Sequence, residues 1–172
     1  MRDQGICRIS VGVSDLEKSR KFFIEEMELT ELARGTLDAG SVKRAYDLDC
    51  AAEYIMLKNS EQETLLQLIH FCGHEGARIR DHAHSWDFGY YDIAFRAKDN
   101  TWAERHFKSH GYEYYCAPTG YVADWINLDV LEAVLKGPDA LPIALIERLK
   151  EPIPSFEGNF SIFTDIAQTV AD

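Results

Sequence analysis

Arg8-Ile-Ser-Val-Gly-Val-Ser-Asp15 is echoed about half a chain later by Asp92-Ile-Ala-Phe-Arg-Ala-Lys-Asp99. In the first octamer Ile9, Val11 and Val13 alternate with Arg8, Ser10 and Gly12, which is the period of a half-buried strand. In the second, Ile93 and Phe95 alternate with Asp92, Ala94 and Arg96. Each octamer runs into a helical segment. Ser14-Asp15-Leu16-Glu17 reads as a capping box with Ser14 at the N-cap. The helix it starts should carry Leu16, Phe22, Phe23 and Met27 toward a core. Downstream, Asp99 or Asn100 caps a helix over residues 101–110, and Gly111 stops it. A repeat of this length points to a duplicated unit whose two copies build one site.

Working outward, Ser41–Tyr46, Glu53–Lys58 and Thr64–Phe71 read as strands, so residues 1–75 form a predicted β-α-β-β-β module. Residues 76–90 are polar and turn-rich, a linker. Residues 91–151 repeat the order, with strands over residues 112–116, 122–128 and 132–136, and a closing strand at Pro142–Leu149. Gly137-Pro138-Asp139 is the turn before that last strand. Residues 152–172 are a tail. Within it Asp165-Ile-Ala-Gln-Thr-Val-Ala-Asp172 echoes the octamers a third time, so the tail is expected to open a further module of a longer protein. The alternative is an edge strand or a loose terminus.

A chain of 172 residues with 46% hydrophobic and 12% aromatic content can bury a sizeable core. A formal net charge of −11 argues against a nucleic-acid surface and against a polybasic membrane contact. Cys7, Cys50, Cys72 and Cys116 form no C-x-x-C pair, so a zinc knuckle is excluded. No stretch approaches the roughly 18 apolar residues of a membrane span, and the N-terminus lacks a signal-peptide core. These features predict a cytoplasmic protein with reduced thiols. There is no P-loop, G-x-G-x-x-G or G-x-S-x-G motif to support nucleotide binding or serine hydrolysis.

The run Val-Ser-Asp-Leu-Glu-Lys-Ser-Arg-Lys-Phe-Phe within Ile9–Met27, with Thr64–Ile69, Asp92–Gly111 and Gly137-Pro138-Asp139 through Ile146-Glu147, resembles the vicinal-oxygen-chelate superfamily. That group includes glyoxalase I, bleomycin-resistance proteins, extradiol dioxygenases and methylmalonyl-CoA epimerase. The resemblance covers residues 6–150. It implies an α+β fold in which two tandem βαβββ modules form a curved mixed sheet around a central pocket. It also implies metal ligands on the first and fourth strands of each module, at Arg8, Gln67, Asp92 and Glu147. A homodimer is a further arrangement it implies. Fold by itself does not give the reaction.

Alternation gives its own reading of these positions. If Ile9, Val11 and Val13 face a helix, Arg8, Ser10 and Gly12 face the pocket. The same rule puts Asp92, Ala94 and Arg96 inside, and it groups Leu65, Gln67 and Ile69, and Leu145, Glu147 and Leu149. Arg8 has no lone pair for a metal, and Gln67 is a weak neutral ligand. No metal or other cofactor is therefore expected; if one binds, Gln67, Asp92 and Glu147 are the ligands. The 2-His-1-carboxylate set of iron dioxygenases is absent from these positions, which disfavours extradiol cleavage. Arg8 is expected to replace the ion by bridging to Asp92 or Glu147.

Other residues have bland readings beside sharp ones. His82 and His84 could chelate, but loop histidines are usually solvated. His70 should turn away from the pocket and take a structural partner, His74 and His110 should be surface residues, and His106 lies on the second helix. Among Trp86, Phe88, Tyr90, Tyr91 and Trp125, one or two should line the pocket, and Trp125 is the one expected there. Tyr54 and Tyr121 offer hydroxyls whose place the sequence does not fix.

Three functions follow. The first is a lyase- or isomerase-type enzyme on a small metabolite, with Glu147 or Asp92 as general base and Arg8 stabilising an oxyanion. Ser10, Gln67, Arg96 and Trp125 would line its substrate pocket. The second is a protein that holds a drug or metabolite without changing it. The third is a degenerate half of a longer four-module protein.

Overall fold

The structure is a computed structural model that describes residues 6–59, 64–78, 89–123 and 128–149, with backbone alone at 121–123 and 128. It divides into two compact units: Met1–His84 with Pro138–Ala140, and Ser85–Gly137 with Leu141–Asp172. The architecture is α+β; among the described residues each unit has one four-stranded mixed sheet, and neither sheet is closed into a barrel. The third echo, at Asp165–Asp172, lies outside the described residues, as do residues 79–88 of the linker.

The first unit runs β1 (Arg8–Gly12), α1 (Leu16–Lys21), β2 (Thr30–Leu37), α2 (Ala39–Tyr46), β3 (Ala52–Lys58) and β4 (Leu65–Phe71). Its strands are ordered β1-β4-β3-β2, and β1 pairs parallel to β4 while the others pair antiparallel. The helix cap falls one residue later than the expected Ser14. Asp15 has extended backbone and its carboxylate accepts from the Lys18 amide at 2.8 Å. Ser14 is engaged elsewhere: its amide donates to Asp139 Oδ2 at 2.7 Å and its hydroxyl to Asp139 Oδ1. α1 continues as a π-helical turn, Phe22–Glu26, whose Phe22 and Phe23 are buried edge-to-face at 5.1 Å. Beneath them Ile55, Leu57 and Leu68 are fully buried.

The segment Ser41–Tyr46 is helical and not the predicted strand. Asp38 decides this locally, since its carboxylate accepts from the Ser41 amide at 2.9 Å and the Ser41 hydroxyl at 2.9 Å. Asp47, with φ 57°, ends the helix. Val42 then docks against Ala52 and Ile69. The missing strand is β2. It is a sheet edge with little apolar alternation and a bulge between Glu31 and Ala33, so period 2 does not reveal it.

On β2, Glu31 accepts from Arg20 Nε at 2.6 Å and from Arg34 Nε at 2.6 Å. The Arg34 and Arg20 hydrogen bonds hold its carboxyl down to about 2. A depressed carboxyl stabilises the fold above its unfolded value and stops doing so as pH falls through its folded value. Glu31→Gln should therefore lower the urea midpoint at pH 7 by an amount worth about 1 kcal/mol or less, because the network is partly exposed. The two proteins should converge in steps from pH 4.5 toward pH 2. A constant difference across that range would assign the loss to packing.

The second unit runs β5 (Ile93–Arg96), α3 (Asn100–Ser109), β6 (Tyr114–Ala123), β7 (Leu128–Lys136) and β8 (Pro142–Arg148), ordered β5-β8-β7-β6. Here too the first strand pairs parallel with the last. Asp99 caps α3 by accepting from the Trp102 amide at 2.7 Å, and Gly111 follows with φ 83°. The strands expected over residues 112–116 and 122–128 are replaced by one strand, β6, shifted in register between Tyr114 and Cys116 and again before Thr119. Pro118 sits within it and is tolerated because β6 is an edge strand among the described residues.

In the turn Pro138–Ala140, Asp139 and Ala140 both take left-handed backbone, with φ 54° and 60°. Aspartate tolerates this and alanine does not. Ala140→Gly should therefore stabilise the protein by about 0.5–1 kcal/mol, read as a higher denaturation midpoint. A lower midpoint would mean that the buried Ala140 methyl outweighs the backbone relief.

Candidate functional site

Register fixes which side chains share a face. In the first unit Arg8 pairs with Leu65, Ser10 with Gln67 and Gly12 with Ile69. These residues share one face of the sheet, while Ile9, Val11, Leu66 and Leu68 point to the other, where α1 packs. Gln67 is buried at 5% exposure, and its Oε1 accepts from Ser10 Oγ at 2.8 Å. Met56 is its neighbour on β3. Val42 of α2 packs on Ile69, so α2 covers one end of this same face. Tyr54 lies opposite Gly35, where any Cβ would meet its hydroxyl at 2.7 Å. Arg8 is exposed. His70 turns to the helix side, and its Nδ1 lies 3.0 Å from the Val13 carbonyl.

In the second unit Ile93 pairs with Ile143, Ala94 with Ala144, Phe95 with Leu145 and Arg96 with Ile146. Phe95 and Leu145 face α3, with buried Ala103 and Phe107. Glu147 follows Leu145 by two residues and so lies on that helix face. Its Oε2 accepts from the backbone amide of Asn100 at 2.6 Å, at the start of α3. The Asn100 side chain donates to the Leu131 and Leu145 carbonyls at 2.6 and 2.9 Å. The expectation that Glu147 shares a face with Asp92 is thus corrected. Periodicity acts on β5 and β8 separately, and only the pairing between them fixes their relative phase. One of the two carboxylates expected to receive Arg8 is committed to α3.

The opposite face carries Ala94, Arg96, Ala144, Ile146 and Arg148, with Val130, Glu132 and Val134 from β7. Alternation puts Asp92, one residue before β5, on this face too. Its carboxyl is pushed up by burial and then by the negative charge of Glu132. Glu132 was not singled out from sequence. The signal was present, since Glu132 interrupts the apolar alternation of Val130 and Val134.

The two units have matching registers. Ser10 and Ala94 are the third residues of their octamers, and each pairs with a fourth-strand residue, Gln67 and Ala144 respectively. The counterpart of Gln67 is therefore Ala144 and not Glu147. Trp125 lies outside the described residues, as do His82, His84, Trp86 and Phe88, and no side chain is described for Tyr121. Tyr90 is almost fully exposed at 94%, and Tyr91 is exposed.

No family model matches the sequence, and no curated protein matches it. Solved structures do. A glyoxalase family protein from Bacillus cereus superposes with a TM-score of 0.69 at 21% identity, over 87% of this chain and 99% of its own. The glyoxalase I of Leishmania major gives 0.56 at 17% identity, over 84% and 87%. An antibiotic binding protein from a Streptomyces species gives 0.57 at 18% identity, over 87% and 99%.

The fold is glyoxalase-like.

Whether a metal suits this chain depends on its own donors. Arg8 offers no lone pair, Gln67 already shares its oxygen with Ser10, and Ala144 offers nothing. Asp92 and Glu147 lie on opposite faces of one sheet, so a single ion cannot take both. A metal centre that needs both Asp92 and Glu147 does not fit this sheet.

Proposed function

We propose that this glyoxalase-like chain is a small-molecule binding protein that uses no chelated metal at its sheet faces. The observation that carries this reading is the fate of Glu147. Its carboxylate anchors the start of α3 and is not available to the face that holds Asp92. That face presents Asp92, Glu132, Arg96 and Arg148 on an apolar floor of Ala144, Ile146, Val130 and Val134. Such a mix suits a compact ligand with both acidic and hydrogen-bond-donating groups. In the first unit, the face turned away from α1 carries its own polar groups, Arg8, Ser10 and Gln67. Likeness to an antibiotic binding protein supports holding without conversion.

A second reading has its own support. Burial and Glu132 raise the Asp92 carboxyl, as a general base working near neutrality requires. A lyase or isomerase step with Asp92 as base is the enzymatic form of this proposal. The four cysteines are free thiols, which supports a cytoplasmic setting. Among the described residues no helix is long and apolar enough to cross a membrane. A homodimer belongs to the same proposal and is read from light scattering.

The test is a thermal-shift screen against carboxylates, phenols and antibiotics, with and without EDTA, followed by mass spectrometry of each hit. Ligands should stabilise the protein equally with and without chelator and be recovered unchanged. A converted hit would favour the enzymatic reading. Loss of ligand binding in EDTA would overturn the metal-free one.

A further inference from the structure

We infer that α3 carries a chelating site for a borderline divalent transition-metal ion, formed by His106 and His110. The two residues are one helical turn apart, the spacing that lets a pair of imidazoles share an ion. Their ring centroids are 4.4 Å apart, and their ligating nitrogens lie within 4.8 Å of one another. A rotamer adjustment brings these to the roughly 3 Å that two metal–nitrogen bonds of about 2.0–2.1 Å require.

Both rings are already held. Trp102, one turn earlier, stacks on His106 at 4.6 Å with 15° between the planes. His110 Nδ1 lies 3.1 Å from the His106 carbonyl. A carbonyl only accepts, so Nδ1–H is the group that can donate to it, which leaves Nε2 as the ligating nitrogen of the neutral ring. Beside this stripe, buried Ala103 and Phe107 fix the helix to the sheet. His110 is exposed, so an ion has access. Imidazole pairs favour Cu²⁺, Ni²⁺ and Zn²⁺ over Mg²⁺ or Ca²⁺, with Cu²⁺ bound most tightly. Within its unit the pair sits on the helix side of the sheet, opposite Asp92 and Glu132. The site does not depend on the proposed ligand-binding function.

The experiment uses the full chain, stripped with EDTA and desalted, and titrated calorimetrically with CuCl₂, NiCl₂ and ZnCl₂. One ion per chain should bind, Cu²⁺ most tightly, with two nitrogen ligands in the copper paramagnetic resonance spectrum. His110→Gln should weaken binding at least about tenfold, because one of two protein ligands is gone. His106→Gln should do the same, with circular dichroism checking that each variant is folded. A His82→Gln/His84→Gln double variant should bind as the parent does. Unchanged affinity in folded His110→Gln, or loss in the His82/His84 variant, would overturn the assignment. Small-molecule hits should still bind His110→Gln, so failure of this site and failure of the proposed function are read separately.

Discussion

Asp92→Asn should make the protein more stable at neutral pH while weakening its hold on ligand. The sign follows from the direction of the shift. Burial and Glu132 raise the Asp92 carboxyl in the folded state, so the native protein binds its proton more tightly than the unfolded chain does. As pH rises through the unfolded value, the unfolded state loses that proton first, and stability falls. The charged form thus costs the fold stability at pH 7, and below about pH 3.9 the cost is absent. Asparagine cannot ionise, so the gain in melting temperature should appear at neutral pH and vanish in acid. Ligand affinity should fall about 10- to 100-fold if the carboxylate contacts a polar ligand group. A variant that gains stability and loses affinity marks a group kept for function at the fold's expense. Unchanged affinity would remove Asp92 from the site.

Glu147→Ala should have the opposite profile. Its carboxylate accepts a short bond from the Asn100 amide, one of the α3 donors that no helical carbonyl can reach. The charge also lies at the positive end of the helix dipole. Removing it should cost about 2 kcal/mol, measured as a lower urea midpoint. Glutamine keeps an acceptor oxygen and should lose less. Ligand affinity of the folded variants should match the parent. Intact stability with abolished binding would return Glu147 to the site.

These two residues show how far the sequence could be read. Asp92 was legible because it begins an octamer that repeats, and the repeat carries its phase with it. Glu147 stands in a strand where the helix-facing and open rows both contain apolar residues: Ile143 and Leu145 on one, Ala144 and Ile146 on the other. Alternation without a polar row has no absolute phase, and a one-residue slip moves every side chain across the sheet. The pairing of Phe95 with Leu145 supplies that phase. Similarly, α2 shows no helical period because Val42 is its one buried residue, and β2 shows no strand period because an edge strand need not alternate.

The sequence by itself determined the duplicated α+β plan, the two helix starts near Asp15 and Asp99, and the polar row of Arg8, Ser10 and Gln67. These rest on local periodicity and capping, which are written within a few residues of chain. Only the tertiary structure decided the rest: Ala144 as the partner position of Gln67, Glu147 as the anchor of α3, Asp139 as the acceptor for Ser14, and Glu132 as the second carboxylate beside Asp92. Each depends on which residues from distant segments pair across strands, and register between strands is set by packing and hydrogen bonding over the whole sheet.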